Sequence, residues 1–215
     1  MVLNKDGTGN YSITMDMGKM MFDPMMKGMM EAAEDSKMED KDSIFFMNTL
    51  PDSVIGDNKE FWGRVSMRVV SNEKNEDFYI TINLDYKHVD EIAYLAKNLD
   101  RVMAATKSNP IGAGENTGGP SPGFLSETLK FTLAGKELVR TSDDSELLKE
   151  EQGDDLEMMK TFMESAEYKV FYQLPDKVKH TSLSGAKVEG NKVSMVVPLM
   201  DVMQNKVSLN GMIRF

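Results

Sequence analysis

The chain has 215 residues, 40% of them hydrophobic and 28% charged, with a net charge of −10 at pH 7. That length supplies a sizeable core without staples, and the balance of apolar and charged residues excludes global disorder. Basic residues lie scattered among acidic ones, so no footprint for nucleic acid or an anionic bilayer is visible, and the absence of cysteine removes disulfides, zinc–thiolate sites and thiol nucleophiles together.

In chain order, Asp6-Gly7 supplies the positive-φ chemistry of a hairpin turn. Tyr11, Ile13, Met15 and Met17 then alternate with Ser12, Thr14 and Asp16, the pattern of a half-buried strand. Asp23-Pro24 reads as an N-cap with proline at the first helical position. In the helix it opens, Met25, Met26, Met29, Met30, Ala32 and Ala33 cover an arc of about 160°, a stripe suited to a core. A similar strand-then-helix unit is found further on: Tyr11 to Met17 aligns with Phe78 to Leu84 with like residues at every position except Ser12 against Tyr79, and both precede helical segments. Ser43 to Met47 is an apolar patch with no clear period, and Leu50 to Val54 and Gly56 to Lys59 read as loop punctuation.

A second hairpin joins Val65, Met67 and Val69 to Phe78, Ile80, Ile82 and Leu84, with its turn inside Asn72 to Asp77. His88 to Ala105 carries Val89, Ile92, Leu95, Ala96, Leu99, Val102 and Met103 at helical spacing. The Gly-, Pro- and Asn-rich stretch 106–123 is a loop or linker. A third hairpin turns at Ala134 to Lys136, a helix is expected over Asp154 to Ala166, and a strand runs from Tyr168 to Leu174. The fourth hairpin turns at Glu189 to Lys192 and is followed by a short helix, Leu199 to Gln204. A last strand covers Val207 to Phe215, in which Gly211 marks a bulge or an edge.

The fold expected from this order is α+β, a largely antiparallel sheet built from repeated hairpin–helix units with helices mainly on one face. The expected organisation is one domain over 1–215, with the alternative of two halves, 1–105 and 124–215, joined by the loop. The polar faces of the strands carry Ser12, Thr14, Asp16, Ser66, Arg68, Tyr79, Thr81 and Asn83, a set suited to water or a partner.

The turn Asn4-Lys-Asp-Gly-Thr-Gly, the strand ending in Asp16-Met17 and the methionine-dense segment up to Met30 together resemble the start of uncharacterised secreted lipoproteins of Bacteroidetes. The resemblance covers roughly the first forty residues. It implies a cell-envelope address, periplasmic or outer-membrane-anchored, or secretion, and carries over no catalytic residue. No signal peptide or membrane-spanning run is present in the sequence. Two readings follow: a cytoplasmic chain, or one from which a signal and a lipidated cysteine have been trimmed, and the resemblance favours the second.

Candidate chemistry is sparse. Of twenty methionines, eight fall between Met15 and Met30. Thioethers select Cu(I), but no histidine or cysteine accompanies them, whereas methionine commonly fills irregular cores and adaptable surfaces. Core packing is the favoured reading of the cluster, and its alternative makes Met25, Met26, Met29 and Met30 candidate ligand-binding residues for a lipid or other apolar molecule in a Met-rich groove. His88 and His180 stand alone, with no H-E-x-x-H motif or nucleophile elbow. Gly112 to Gly118 lacks a P-loop ending, and the acidic pairs Asp143-Asp144, Glu150-Glu151 and Asp154-Asp155 lack EF-hand spacing. The expectation is a non-enzymatic binding or structural module without cofactor or metal, acting on an unknown protein or apolar ligand, with no nucleic acid and no membrane contact beyond a lipid anchor. The alternative is an apolar-ligand carrier.

Overall fold

Local chemistry sets the first turn. Gly7 takes φ +86°, the Asn4 amide donates to the Thr8 carbonyl at 2.8 Å, and the Asp6 carboxylate accepts from the Thr8 amide and hydroxyl at 3.1 and 2.8 Å. The turn closes an antiparallel pair, β1 (Val2–Leu3) with β2 (Gly9–Asp16). The computed structural model describes residues 1–23, 40–104, 125–143 and 166–215.

Strands dominate those residues: β3 (Lys41–Phe46), β4 (Val65–Asn72), β5 (Asp77–Tyr86), β6 (Lys130–Ala134), β7 (Glu137–Thr141), β8 (Glu167–Gln173), β9 (His180–Thr181), β10 (Lys187–Glu189), β11 (Lys192–Pro198) and β12 (Gly211–Arg214). Five α-helical segments are described: α1 (Gly18–Met21), α2 (Asp52–Ile55), α3 (Lys59–Trp62), α4 (Glu91–Ala104) and α5 (Leu199–Met203). The fold is α+β, with an eight-stranded sheet in the order β10-β11-β8-β1-β2-β5-β4-β3 and a four-stranded sheet in the order β6-β7-β12-β9. The β1–β8 pair is parallel, Val2 beside Gln173, within an otherwise antiparallel arrangement.

The chain forms two compact units. Unit 1 comprises Met1–Tyr11, Asp85–Asp100 and Pro120–Phe215. Phe131 on β6 meets Tyr11 and Tyr172 edge-on, at ring-centroid distances of 5.9 and 6.4 Å, so aromatic contacts join the small sheet to the larger one. Val193, Met195 and Val197 alternate inward along β11, and Met195 and Val197 pack with Val202 of α5 and Leu209. On α4, Ile92, Leu95, Ala96 and Leu99 are buried at the spacing that the sequence predicts. β12 lies between β7 and β9, so Gly211 does not mark an edge strand. Its glycine answers a close approach, since a Cβ there would lie 2.7 Å from Leu183 Cδ2.

Unit 2 comprises Ser12–Leu84 and Arg101–Gly119. The β4–β5 hairpin is the one expected, with Val65, Met67, Val69, Phe78, Ile80, Ile82 and Leu84 buried. Its turn is a 3-10 helix, Glu73–Asn75, capped by the Asn72 side chain accepting from the Asn75 amide at 3.0 Å and ended by Glu76 at φ +56°. Ile55, Phe61 and Trp62, from the short helices α2 and α3, are buried, and the two aromatic rings meet edge-on at 5.1 Å. The Arg101 guanidinium anchors the C-terminal turn of α4 to the Val54 carbonyl at 2.7 Å.

The apolar patch at Ser43 to Met47 is mostly strand: β3 pairs with β4 and passes into a 3-10 helix, Met47–Thr49. His180 belongs to the two-residue strand β9, paired with Arg214. The expected helix after Asp23, the loop 106–123 and nearly all of the helix 154–166 lie outside the described residues. The two similar segments, Tyr11 to Met17 and Phe78 to Leu84, occupy neighbouring strands, where the Thr14 and Thr81 hydroxyls share a hydrogen bond at 3.0 Å. Common surroundings on one sheet account for their shared pattern.

Candidate functional site: a polar sheet face ending in an apolar edge

Strand alternation in unit 2 places polar residues in rows across four strands. The Thr14–Thr81 contact, the Thr81–Arg68 pairing and the Arg68–Ile44 pairing define one row. The same register sets Ser12 in the row of Asn83, Ser66 and Phe46, and Asp16 in the row of Tyr79, Val70 and Asp42. Ser12, Thr14 and Asp16 are exposed, and Ser66, Arg68, Tyr79, Thr81 and Asn83 are half-buried. The face therefore offers hydroxyls, an amide and a guanidinium between an aromatic ring and an apolar margin.

Arg68 sits in the middle row and is held in place. Its Nε and one terminal nitrogen donate to the two Asp42 carboxylate oxygens at 2.8 and 2.7 Å, a bidentate pair. The Arg68 hydrogen bonds hold the Asp42 carboxyl below the usual carboxylate range, and the Asp42 carboxylate in turn raises the guanidinium. Since both groups are solvent-exposed, the pair fixes geometry more than it adds stability.

Among the described residues β3 ends the eight-stranded sheet, pairing with β4 on one side. Terminal strands usually carry charges or bulges that discourage further pairing. Here the first two residues, Lys41 and Asp42, are charged, but Ile44, Phe45 and Phe46 follow at 59%, 40% and 55% exposure. Pairing with Arg68 and Ser66 sets Ile44 and Phe46 on the polar face, and pairing with Met67 sets Phe45 on the opposite side. The Lys41 ammonium lies 5.5 Å from the centre of the Phe45 ring. Three consecutive large apolar residues in water on a terminal strand are a local departure from sheet-edge practice.

A second polar cluster lies in unit 1. The Asn210 carboxamide accepts from Arg140 at 3.2 Å and from the Ser142 amide at 2.7 Å, and it donates to the Ser142 carbonyl at 2.7 Å. The Ser126 hydroxyl donates to the Asp143 carbonyl at 2.8 Å, while the Thr128 hydroxyl accepts from the Asp143 amide at 2.6 Å. These bonds fasten the end of β7 to the chain before β6 and before β12. Arg140 and Ser126 are buried in this network, whose evident work is to satisfy polar groups.

Met25, Met26, Met29 and Met30 lie outside the described residues, as do the glycine-rich stretch and all the acidic-pair residues except Asp143. His88 and His180 are both exposed. Among the described residues, no group of three or more His, Asp or Glu is placed to hold a metal ion, and no helix is long and apolar enough to cross a membrane. The residues that sequence reasoning passed over are Ile44, Phe45 and Phe46. Their signal was three adjacent apolar residues after Lys41-Asp42-Ser43, a run whose lack of alternation hides its strand. The chain matches no protein-family model, no curated protein and no solved structure.

Proposed function

We propose that the chain is a non-enzymatic module of the cell envelope, the soluble part of a lipoprotein, which binds a protein partner through the polar face and the β3 edge of unit 2. The observation that carries the binding reading is the exposure of Ile44, Phe45 and Phe46 beside an ordered polar surface. Exposed apolar groups clustered in this way mark interaction sites more often than isolated ones do. The address rests on the resemblance of the first forty residues, and the non-enzymatic reading rests on the missing nucleophile, metal and phosphate motifs. Hairpin–helix units with helices mainly on one sheet face belong to the same proposal, because that arrangement keeps the polar rows open to a partner.

Native mass spectrometry of the protein purified from its own source tests the reading. A protein partner with no co-purifying small molecule is the expected result. A bound lipid or other apolar molecule would replace it with the carrier reading, which centres on Met25, Met26, Met29 and Met30.

A further inference from the structure

From the order of chemistry along β3 we infer that its partner is an extended peptide segment of another protein, apolar at alternate positions and then basic, which adds antiparallel to the sheet edge; the inference rests on the binding-module reading above. Edge addition follows from the strand's place: among the described residues β3 is terminal, and a further strand pairs with the main chain of such an edge whatever its sequence. Specificity must come from side chains, and those of β3 are unevenly distributed.

Its C-terminal half presents Ile44, Phe45 and Phe46. Among the described residues, its N-terminal end lies near Asp40, Asp42, Glu73, Glu76 and Asp77, with Lys41, Arg68 and Lys74 as cations on the same strands and turn, an excess of two negative charges. The Asp40 carboxylate accepts from the Glu73 amide at 2.9 Å, which ties this end of β3 to the β4–β5 turn. Antiparallel addition continues the β3–β4–β5 pattern and is the slightly stronger pairing. In that direction the incoming strand meets Phe46 to Ile44 first and the acidic end last. It therefore buries apolar residues in its first half and pairs Lys or Arg in its second.

A second copy of the chain fits poorly. Antiparallel pairing of two β3 strands sets the Phe46 end of each against the Lys41-Asp42 end of the other, which desolvates Asp42 and disturbs its pair with Arg68.

The test is selection of displayed random peptides of about ten residues on the intact chain at low salt, followed by affinity and amide hydrogen-exchange measurements. The expected peptides carry alternating apolar residues ahead of Lys or Arg, slow exchange along Lys41–Phe46, and weaken in high salt. They also bind the double variant Ile44→Lys/Phe46→Lys about tenfold more weakly. Both positions are exposed, so circular dichroism should show the variant folded. Peptides that lose affinity on the variant but carry basic residues first, or none, overturn the assigned partner chemistry and leave the binding module standing. Failure to select any peptide, or peptides that bind the variant unchanged, overturns both. A chain that dimerises while the variant stays monomeric makes a second copy the occupant and overturns the assignment.

Discussion

Tyr86→Phe and Gly9→Ala probe one joint in unit 1, and together they test whether its hydrogen bond and its steric fit are the same feature. The Tyr86 side chain is 2% exposed, and its hydroxyl donates to the Val2 carbonyl at 2.6 Å. Burial pushes the phenol well above its ordinary pKa, so the donor keeps its proton through neutral and mildly alkaline pH. Deleting the hydroxyl removes a part-buried hydrogen bond and leaves a small void beside the Val2 carbonyl, at a cost of about 1–2 kcal/mol. A Cβ at Gly9 would collide with the Val2 carbonyl and the Tyr86 hydroxyl and come within 2.6 Å of the ring carbon bearing it. A β-strand carbonyl and a buried ring yield poorly, so Gly9→Ala should cost about 2–4 kcal/mol, overpacking plus loss of the same hydrogen bond. The double variant should fall short of the sum by about 1 kcal/mol, because that bond is lost only once. Urea unfolding with an unchanged m-value is the assay. A Tyr86→Phe protein within about 0.5 kcal/mol of wild type, or strict additivity, would refute the reasoning.

Trp62→Ala should cost about 3–5 kcal/mol, since the indole is 0% exposed and packs edge-on with Phe61; thermal unfolding should register a loss of at least several degrees. The Asp42 and Asp176 carboxyls, held below the ordinary range by hydrogen bonds from Arg68 and Lys136, ionise more readily folded than unfolded. Their stabilisation is complete above the unfolded carboxyl pKa of about 4 and is lost as pH falls through the lower folded values. Tm should therefore fall as pH drops through that range, and Asp42→Asn should flatten part of the fall; an unaltered profile would contradict the pairing. Ile44→Lys/Phe46→Lys should leave urea stability within about 0.5 kcal/mol of wild type, because neither side chain is buried.

The β4–β5 hairpin was legible because its period of two is unbroken, its turn residues are polar, and both strands bury one face. The core face of α4 was legible for the parallel reason, seven apolar residues at helical spacing. β3 was not, because pattern reasoning identifies a strand by its buried face, and Ile44, Phe45 and Phe46 all remain in water. His180 and Thr181 form too short a strand to show any period, and only their pairing to β12 reveals it. The neighbours β1 and β8 lie 170 positions apart at Met1 and Phe171, a long-range match on which local propensity is silent. The same limit hid the separation into two sheets. The polar rows of unit 2 were half legible: the sequence named their members, but only the register shows that Thr14, Thr81, Arg68 and Ile44 share one row.

We propose that unit 2 recruits a protein through the β3 edge. Native mass spectrometry of wild type and of Ile44→Lys/Phe46→Lys, each expressed in the source organism and purified without denaturation, tests it most directly. The account predicts a protein partner on the wild-type chain that is missing from the variant. The same partner on both chains, or on neither, would contradict it.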